Sequence, residues 1–332
     1  MSDPLPAAQP VVATSRRFLD QRLRMQMLRL VDAVEAQRSL LKASAVLCVT
    51  QPALTKSIQE LESILQVRLF DRHSRGMIPT EAGLRFARAA RRILADIRHL
   101  DEELDELANP SFGSITLGAL PVAASGVLPG ALTRLKLSNP NIKIRLHQGS
   151  TEQLLPLLAA NEIEIVVGRL YQPVMPDDFT RETLWHEPLS ICARSDHPLF
   201  SLPLVTIDDL KRYELILPSL GQRMGQEISD LVSKLRLRSE RATHSSSHGF
   251  IREILHATEL IAITPRLMMA GDLARGTLGI VPVHIGSPER PAGLITVTGR
   301  ELTPTCQTFV GQLHGYVAEI VERSIGPMNS SG

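Results

Sequence analysis

Polar side chains at helical spacing follow Thr50 and could hydrogen-bond to nucleic acid. Residues 50–62 predict a helix, because Thr50 can cap its N-terminus and Pro52 lies in the first turn, where a backbone N–H has no helical partner. Three apolar residues recur at i, i+4 and i+7 and would face inward: Leu54, Ile58 and Leu61. The outward side chains are Gln51, Thr55, Lys56 and Gln59. Such groups bind base edges and phosphates in the major groove, although each taken singly is more often part of a solvated polar face.

A second set of candidate residues follows the predicted strands of the rest of the chain. Open parallel sheets bind ligands beyond the carboxyl ends of their strands, so the residues just past those ends are the candidates. They are Pro121, Val122, Ala123, Ser150, Thr151, Arg169, Pro218, Ser219, Ser246, Ser247 and His248. Arg169 can pair with an anion through two hydrogen bonds, and Ser150 and Thr151 offer hydroxyl and backbone N–H groups to a carboxylate. The set predicts a small organic anion, a carboxylate or sulfonate, as ligand, and no cofactor.

Several of these assignments have structural alternatives. Ser150 begins a capping-box pattern that ends at Gln153, so it can serve simply as a helix N-cap. Arg169 can form an ion pair at a hinge, and His248 can be an ordinary loop histidine. The residues alone leave both interpretations open.

Motifs of catalysis and metal binding are missing from the sequence. There is no Gly-x-Ser-x-Gly elbow, no His-Glu-x-x-His and no Walker-type phosphate loop. His244 and His248 lie across a predicted strand end, and no nearby carboxylate or cysteine completes a metal set. We therefore expect no catalytic residues and no metal.

The cysteines and the apolar segments indicate where in the cell the protein is located. Cys48, Cys192 and Cys306 are far apart and form no C-x-x-C pair, which fits a reducing cytosol. Buried structural thiols are the favoured interpretation, with a thiol-based redox sensor as the alternative. No apolar run approaches the roughly 18 residues of a membrane span, and residues 1–15 lack a signal-peptide pattern. We expect a cytoplasmic protein without a membrane partner, with a disordered tail over residues 1–15.

Charge is concentrated near the N-terminus. Residues 16–80 hold 11 lysines and arginines against six aspartates and glutamates, a net charge of +5 in a chain whose total is +1. This asymmetry favours an anionic partner for the N-terminal part.

The candidate residues lie in parts of the chain that differ in their sequence pattern. Short helices separated by brief turns extend from about Arg16 to Gly83, and a stretch without proline follows to about Leu107. Apolar residues recur along that stretch in steps of four and three, which predicts a helix that pairs with a second copy: Phe86, Ala90, Ile93, Ile97, Leu100, Leu104 and Leu107. The alternative is a helix packed on its own domain. Asn109-Pro110 ends the helix.

From Ser114 onward, short apolar strands alternate with helices. The predicted strands are 115–120, 142–147, 163–168, 189–194, 213–217, 241–245, 260–264, 280–283 and 294–298, and residues 304–322 predict a final helix. Strand-helix alternation of this kind implies right-handed crossovers and parallel sheets.

Long motifs in the N-terminal part resemble the DNA-binding domain of the LysR family of bacterial transcriptional regulators. The run from Leu47 to Glu62, LCVTQPALTKSIQELE, is similar to the family's second and third helices, the third being the recognition helix. The runs VRLFDR from Val67 and PTEAG from Pro79 look like the segments that flank its wing. Leu40 and Ser44 depart from the residues usual in the family, and about 15 residues precede its usual start; the two substitutions should alter packing without abolishing the fold. The resemblance implies that ten residues contact DNA: Ser39, Thr50, Gln51, Pro52, Ala53, Thr55, Lys56, Arg72, His73 and Arg75.

The resemblance to the family continues through the strands and helices that follow Ser114. The run Gly149–Leu154 and the run Ile165–Leu170 look like the first lobe of a LysR effector domain, and segments at Glu187–Ser190 and Gly293–Val297 resemble the two strands that join the lobes. The Gly168-Arg169-Leu170 run resembles regulators of aromatic-compound and sugar-acid catabolism.

The family implies a multidomain chain with no enzymatic activity. Its parts are an all-α winged helix-turn-helix DNA-binding domain, a long linker helix and an α/β two-lobed effector domain with the fold of periplasmic binding proteins. We expect them at residues 16–80, 81–109 and 114–332, with lobe I at about 114–188 and 296–332 and lobe II at about 189–295. The implied partners are promoter DNA, a small-molecule inducer, RNA polymerase and further copies of the chain, as a homodimer or homotetramer.

Overall fold

The structure is a computed structural model that describes residues 19–73, 76–108, 113–173, 175–219 and 222–325. Within these ranges the chain forms two compact units. The first ends at Asp101 and takes in Ala160–Glu162; the second contains Glu102–Ala159 and the chain from Ile163 onward. The predicted tail over residues 1–15 and the linker at 109–112 lie outside the described residues.

The first unit begins with four helices. They are α1 (Leu19–Arg22), α2 (Met25–Gln37), α3 (Leu40–Val46) and α4 (Gln51–Leu65). Ser39 and Thr50 cap α3 and α4, because their hydroxyls accept hydrogen bonds of 3.4 Å from the backbone N–H groups of Lys42 and Ala53. The predicted inward face of α4 is buried in the domain core: Leu54, Ile58 and Leu61. The predicted helix-turn-helix is therefore confirmed.

Two short strands form the wing and add one small sheet to the predicted all-α domain. They are β1 (Phe70–His73) and β2 (Gly76–Pro79), which pair antiparallel. The helix that follows packs tightly on the wing at Gly83, where a Cβ would lie 2.0 Å from the carbonyl oxygen of Leu69. Only glycine permits this approach.

That helix, α5, covers Glu81–Ala108. Its N-terminal part packs on the helix-turn-helix core, to which Ala87 belongs and against which the half-buried Phe86 lies; Ala90 is also fully buried. Arg91 ties α5 to α2 through ion pairs with Asp32, at 2.6 Å, and with Glu35. The long helix predicted for residues 81–109 is present over Glu81–Ala108, and residue 109 lies outside the described residues.

The second unit is an alternation of strands and helices. Its strands are β3 (Ser114–Ala119), β4 (Lys143–Gln148), β5 (Ile165–Arg169), β6 (Phe179–Glu187), β7 (Leu189–Arg194), β8 (Leu215–Pro218), β9 (Thr243–Ser245), β10 (Ile261–Pro265), β11 (Leu278–Ile280) and β12 (Arg290–Val297). Its helices are α6 (Pro121–Ser125), α7 (Val127–Ser138), α8 (Thr151–Ala159), α9 (Ile207–Leu210), α10 (Gln222–Lys234), α11 (His248–Ala257), α12 (Ala270–Arg275) and α13 (Pro304–Ile325). Short 3₁₀ helices cover Pro198–Ser201 and Arg266–Met269.

The strands form two five-stranded sheets, one in each lobe. The order in lobe I is β4-β3-β5-β12-β6, and the order in lobe II is β11-β7-β10-β8-β9. Strands β3, β4 and β5 are mutually parallel, as are β8, β9 and β10, while the remaining strands run antiparallel to their neighbours. Apolar side chains cover both faces of each sheet: Ile165 and Val167 of β5 lie in one cluster and Val166 in another. The predicted two-lobed α/β fold is confirmed.

The boundary between the lobes differs from the predicted one. Strand β12 pairs with β5 and β6 along Arg290–Val297, so the chain re-enters lobe I by Arg290. The predicted return at residue 296 is therefore wrong, because the whole strand is hydrogen-bonded in the lobe I sheet. None of the helices in the described ranges is long and apolar enough to span a bilayer.

Candidate DNA interface and effector cleft

The recognition helix α4 presents a polar face with its apolar face buried. Most of its predicted contact residues are exposed: Thr50, Gln51, Pro52, Ala53 and Lys56. Thr55 is half-buried, as is Ser39 at the start of α3. On the wing, Arg72 and His73 are exposed along β1, and Arg75 lies outside the described residues. The fold thus offers amides, a hydroxyl and a cation on α4 and a further cation on the wing, which is the chemistry of base and phosphate contact.

The wing is held to the recognition helix by Glu62. Its Oε1 accepts hydrogen bonds from the backbone N–H groups of Leu69, at 2.7 Å, and Phe70, at 3.2 Å. Bonds to a carboxylate are stronger than neutral ones. This contact fixes where Arg72 and His73 stand relative to α4.

The predicted dimerisation residues of α5 divide into two groups. Five of them form an exposed apolar stripe, with 37% to 80% of each residue accessible: Ile93, Ile97, Leu100, Leu104 and Leu107. Phe86 instead packs against the helix-turn-helix core and Ala90 is fully buried, so these two residues fit the alternative of a helix packed on its own domain. We name the five exposed residues the apolar stripe of α5.

In lobe I the structure brings together the loops that follow β3, β4 and β5. Leu120 N–H donates to the Val167 carbonyl at 3.0 Å, and Gly149 N–H donates to the Ala119 carbonyl at 3.2 Å. Of the candidates here, Pro121, Ser150 and Thr151 are half-buried. Val122 and Ala123 are buried in the first turn of α6, and their role as ligand contacts stays a prediction.

Ser150 stands immediately before the first residue of α8. Its backbone N–H donates to Gln153 Oε1 at 2.9 Å, and the Ser150 carbonyl accepts from the backbone N–H groups of Gln153 and Leu154. The bond from the Ser150 N–H to the Gln153 side chain is one half of a capping box, which fits the capping interpretation of Ser150.

In lobe II the loops after β8 and β9 also meet. Ser219 N–H donates to the Ser245 carbonyl at 2.8 Å, while Pro218 is buried and Ser219 and Ser246 are exposed. Ser247 caps α11, since its hydroxyl accepts from Phe250 N–H at 3.2 Å. His248 begins α11; burial lowers the pKa of its imidazole, and its Nδ1 has no hydrogen-bond partner among the described residues.

The carboxyl edges of the two parallel sheets are apposed. Helix α6 follows β3, the 3₁₀ helix Arg266–Met269 follows β10, and the two are in contact. A Cβ on Gly126 would lie only 2.1 Å from the Leu267 carbonyl oxygen. The segments that follow β3 and β10 therefore meet between the lobes.

Arg169 ends β5 with its guanidinium inside the protein. Only 2% of the residue is exposed, and Nη1 donates to Glu227 Oε2 of α10 at 2.7 Å. Met224 Sδ lies 3.1 Å from the same nitrogen, and Nη2 is 3.5 Å from the Glu187 carbonyl oxygen. Arg169 is thus in an ion pair, as in the alternative of a hinge ion pair, and its partner is on helix α10 of lobe II.

Three residues of this site escaped the sequence analysis: Glu187, Glu227 and Arg290. Arg290 Nε lies 3.3 Å from Glu227 Oε1, so one carboxylate joins two arginines of lobe I to a helix of lobe II. Glu187 is 1% exposed; burial raises its carboxyl pKa to about 7, against the lowering effects of the Arg169 charge and of the Trp185 indole N–H. The sequence did contain a signal for Glu227: it lies three residues after the buried Met224 on α10, so it is on the same face of that helix.

A cavity of about 860 Å³ lies beside these charges. It is lined by Arg169, Leu170, Tyr171, Gln172, Gln226, Glu227, Arg290 and Pro291. Apart from Arg169, none of the predicted effector residues contributes to this lining.

The cysteines do not present a reactive pair. Cys192 and Cys306 are buried and burial raises both thiol pKa values, that of Cys192 to about 11, whereas Cys48 is exposed in the helix-turn-helix turn. A thiol reacts as its thiolate, so this environment disfavours redox sensing by Cys192 or Cys306.

Nearly the whole chain is similar in sequence to known transcriptional regulators. The HTH-type transcriptional regulator PcaQ of Agrobacterium fabrum is 30% identical over 282 residues, 83% of this chain and 89% of that protein. The HTH-type transcriptional regulator GbpR of Azospirillum brasilense is 29% identical over 299 residues, covering 89% of this chain and 87% of that protein.

The fold is shared with solved regulators. The crystal structure of CbnR, a LysR family transcriptional regulator, superposes with a TM-score of 0.61 at 19% identity, covering 89% of this chain and 99% of that one. Residues 25–84 match the family described as bacterial regulatory helix-turn-helix protein, lysR family, and residues 108–318 match the LysR substrate binding domain. The chain belongs to the LysR family of bacterial transcriptional regulators.

Proposed function

We propose that the effector of this DNA-binding regulator is a small organic anion, a carboxylate or sulfonate, which binds between the lobes and changes transcription of catabolic genes. The observation that carries the proposal is the buried guanidinium of Arg169 at the carboxyl end of β5. A buried arginine needs an anionic partner, because an unpaired charge there is strongly destabilising. In this protein that partner comes from the other lobe, so the anion site coincides with the point where the lobes are joined.

The proposed role is binding, without catalysis. An effector acts on a regulator only through different affinities for two states, and the two lobes and the self-associated chains supply such states. We propose that the change alters DNA bending and contact with RNA polymerase, mainly as activation. Promoter binding also argues for a cytoplasmic site of action.

The test uses the full-length protein and DNA upstream of the neighbouring gene. Organic acids and their uncharged amides are screened for a shift in the thermal transition, followed by mobility-shift and reporter assays with each hit. We expect at least one acid, and none of the amides, to stabilise the protein and change reporter expression. Binding confined to neutral or cationic compounds, or a response to peroxide alone, would overturn the proposal.

A further inference from the structure

We propose that Glu227 is a built-in competitor of the effector: its carboxylate occupies the arginine site that the carboxylate of an apolar monocarboxylic acid takes on binding. The proposal rests on the proposed function and names the ligand class and the residue that sets its affinity. It assigns the 860 Å³ cavity beside Arg290 to the body of that ligand.

The two arginines form a fixed site for one carboxylate. Ala292 of β12 is the register partner of Arg169 on β5, and Arg290 lies two residues before Ala292, on the same side of that strand. Arg169 binds Glu227 Oε2 and Arg290 binds Glu227 Oε1. Both oxygens of a single carboxylate are therefore held, each by a different guanidinium of one rigid sheet.

Glu227 is the movable partner in this site. It belongs to α10 of lobe II, whereas both arginines belong to the lobe I sheet, so a change in lobe orientation separates Glu227 from them. Arg169 is almost fully buried, and losing its carboxylate without replacement would leave a buried charge uncompensated. An incoming anion supplies that replacement, so exchange of one carboxylate for another keeps Arg169 paired.

The cavity indicates the chemistry of the rest of the ligand. Leu170, Tyr171 and Pro291 offer apolar surface next to the arginines, and Gln172 and Gln226 offer amides at its border. Its volume is in the usual range for small-molecule sites, roughly 300–1,000 Å³. The carboxylate of the ligand takes the place of the single Glu227 carboxylate, so one carboxylate is enough to keep both arginines paired. An acid with one carboxylate and an aromatic or aliphatic body fits both features.

The test compares Glu227→Gln with Asp230→Asn in the full-length chain. Asp230 lies one turn further along α10, is exposed and accepts from Gln226, so its variant removes the same charge without touching either arginine. Benzoate is titrated by calorimetry, with benzamide as its uncharged counterpart. In the wild type, Glu227 occupies the arginine pair in most molecules, and the apparent affinity for benzoate falls in proportion to the fraction of molecules in which the pair is free. We therefore expect Glu227→Gln to bind benzoate roughly tenfold more tightly. We expect Asp230→Asn to match the wild type and benzamide binding to be unchanged.

Three results would overturn the proposal: equal benzoate affinity in the wild type and Glu227→Gln, an equal gain in Asp230→Asn, or an equal gain for benzamide. Glu227→Ala opens the same arginine pair and serves as a second variant if Glu227→Gln fails to fold. If organic acids bind the wild type and both Glu227 variants equally, competition is refuted while the anionic effector stands. If no acid binds any of them, both proposals fail.

Discussion

Glu62, on the recognition helix, accepts a hydrogen bond of 2.7 Å from the backbone N–H of Leu69, the residue that precedes the wing. We expect Glu62→Ala to destabilise the wing by about 2 kcal/mol, since a hydrogen bond to a charged group is lost and two backbone donors lose their partner. Hydrogen exchange of the Leu69 and Phe70 amides should accelerate, and DNA affinity should fall. Glu60→Ala, an exposed position on the same helix, is the control; equal exchange in both variants would contradict the expectation.

Lys56 stands exposed on the polar face of α4. We expect Lys56→Ala to weaken operator binding roughly tenfold, about 1.4 kcal/mol, and to reduce the salt dependence of binding if its partner is a phosphate. Mobility-shift titrations at several salt concentrations measure both. Lys234→Ala, which removes an exposed lysine of the effector domain, should bind like the wild type, and unchanged affinity of Lys56→Ala would refute its assignment to DNA.

The apolar stripe of α5 gives a third expectation. Replacing Ile97 and Leu100 by glutamate places two charges in a helix-pairing surface, and we expect both dimer mass and DNA affinity to fall. Arg98→Glu changes the net charge by the same amount at an exposed position between them in sequence, off the stripe. Light scattering and mobility shifts should separate the two variants, and a dimer that survives the double change would count against pairing through α5.

Glu187 predicts a pH dependence with a definite sign. Its folded-state pKa of about 7 lies above the ordinary value of 4.5, so the folded state holds the proton more tightly than the unfolded one. The stability that Glu187 contributes is fully present below pH 4.5 and is lost as the pH rises through 7. One pKa unit corresponds to about 1.4 kcal/mol, so the total loss in the free energy of unfolding is about 3 kcal/mol. Glu187→Gln cannot ionise, so its stability advantage over the wild type should grow between pH 5 and pH 8.

The chain's one tryptophan, Trp185, is buried in lobe I, so its fluorescence reports on unfolding of that lobe. The midpoint of urea unfolding followed by its fluorescence is the appropriate measurement, because the neighbouring Glu187 also affects its intensity. Glu240→Gln, at an exposed position, should keep a constant difference from the wild type. A pH-independent difference for Glu187→Gln would show that Glu187 has an ordinary pKa.

Elements with one buried apolar face could be predicted from sequence. The spacing of Leu54, Ile58 and Leu61 predicts both the recognition helix and the side it buries, and the observed caps at Ser39 and Thr50 follow from their hydroxyls. The buried strands β3 and β5 were likewise evident as apolar runs.

Features that depend on distant pairing could not be predicted. Strand β6 is an edge strand with mostly exposed or half-buried residues, FTRETLWHE, so it lacks the apolar run that marks its neighbours. The return of the chain to lobe I at Arg290 depends on pairing with strands more than 100 residues earlier. Arg169 was identified as a charge at a strand end, but its partner 58 residues away on a helix is set by how the lobes meet.

The exposed stripe of α5 has a genetic consequence. We expect pairing to use Ile93–Leu107 and DNA contact to use α4, which are different residues, so a chain whose α4 no longer binds DNA should still pair with intact chains. A cell that carries both forms would contain mixed assemblies with only one functional DNA-binding domain. Operators that require two such domains would then remain unoccupied. Alleles altered in α4 should therefore be dominant over the normal allele, and the same alleles should become recessive once the stripe is also disrupted.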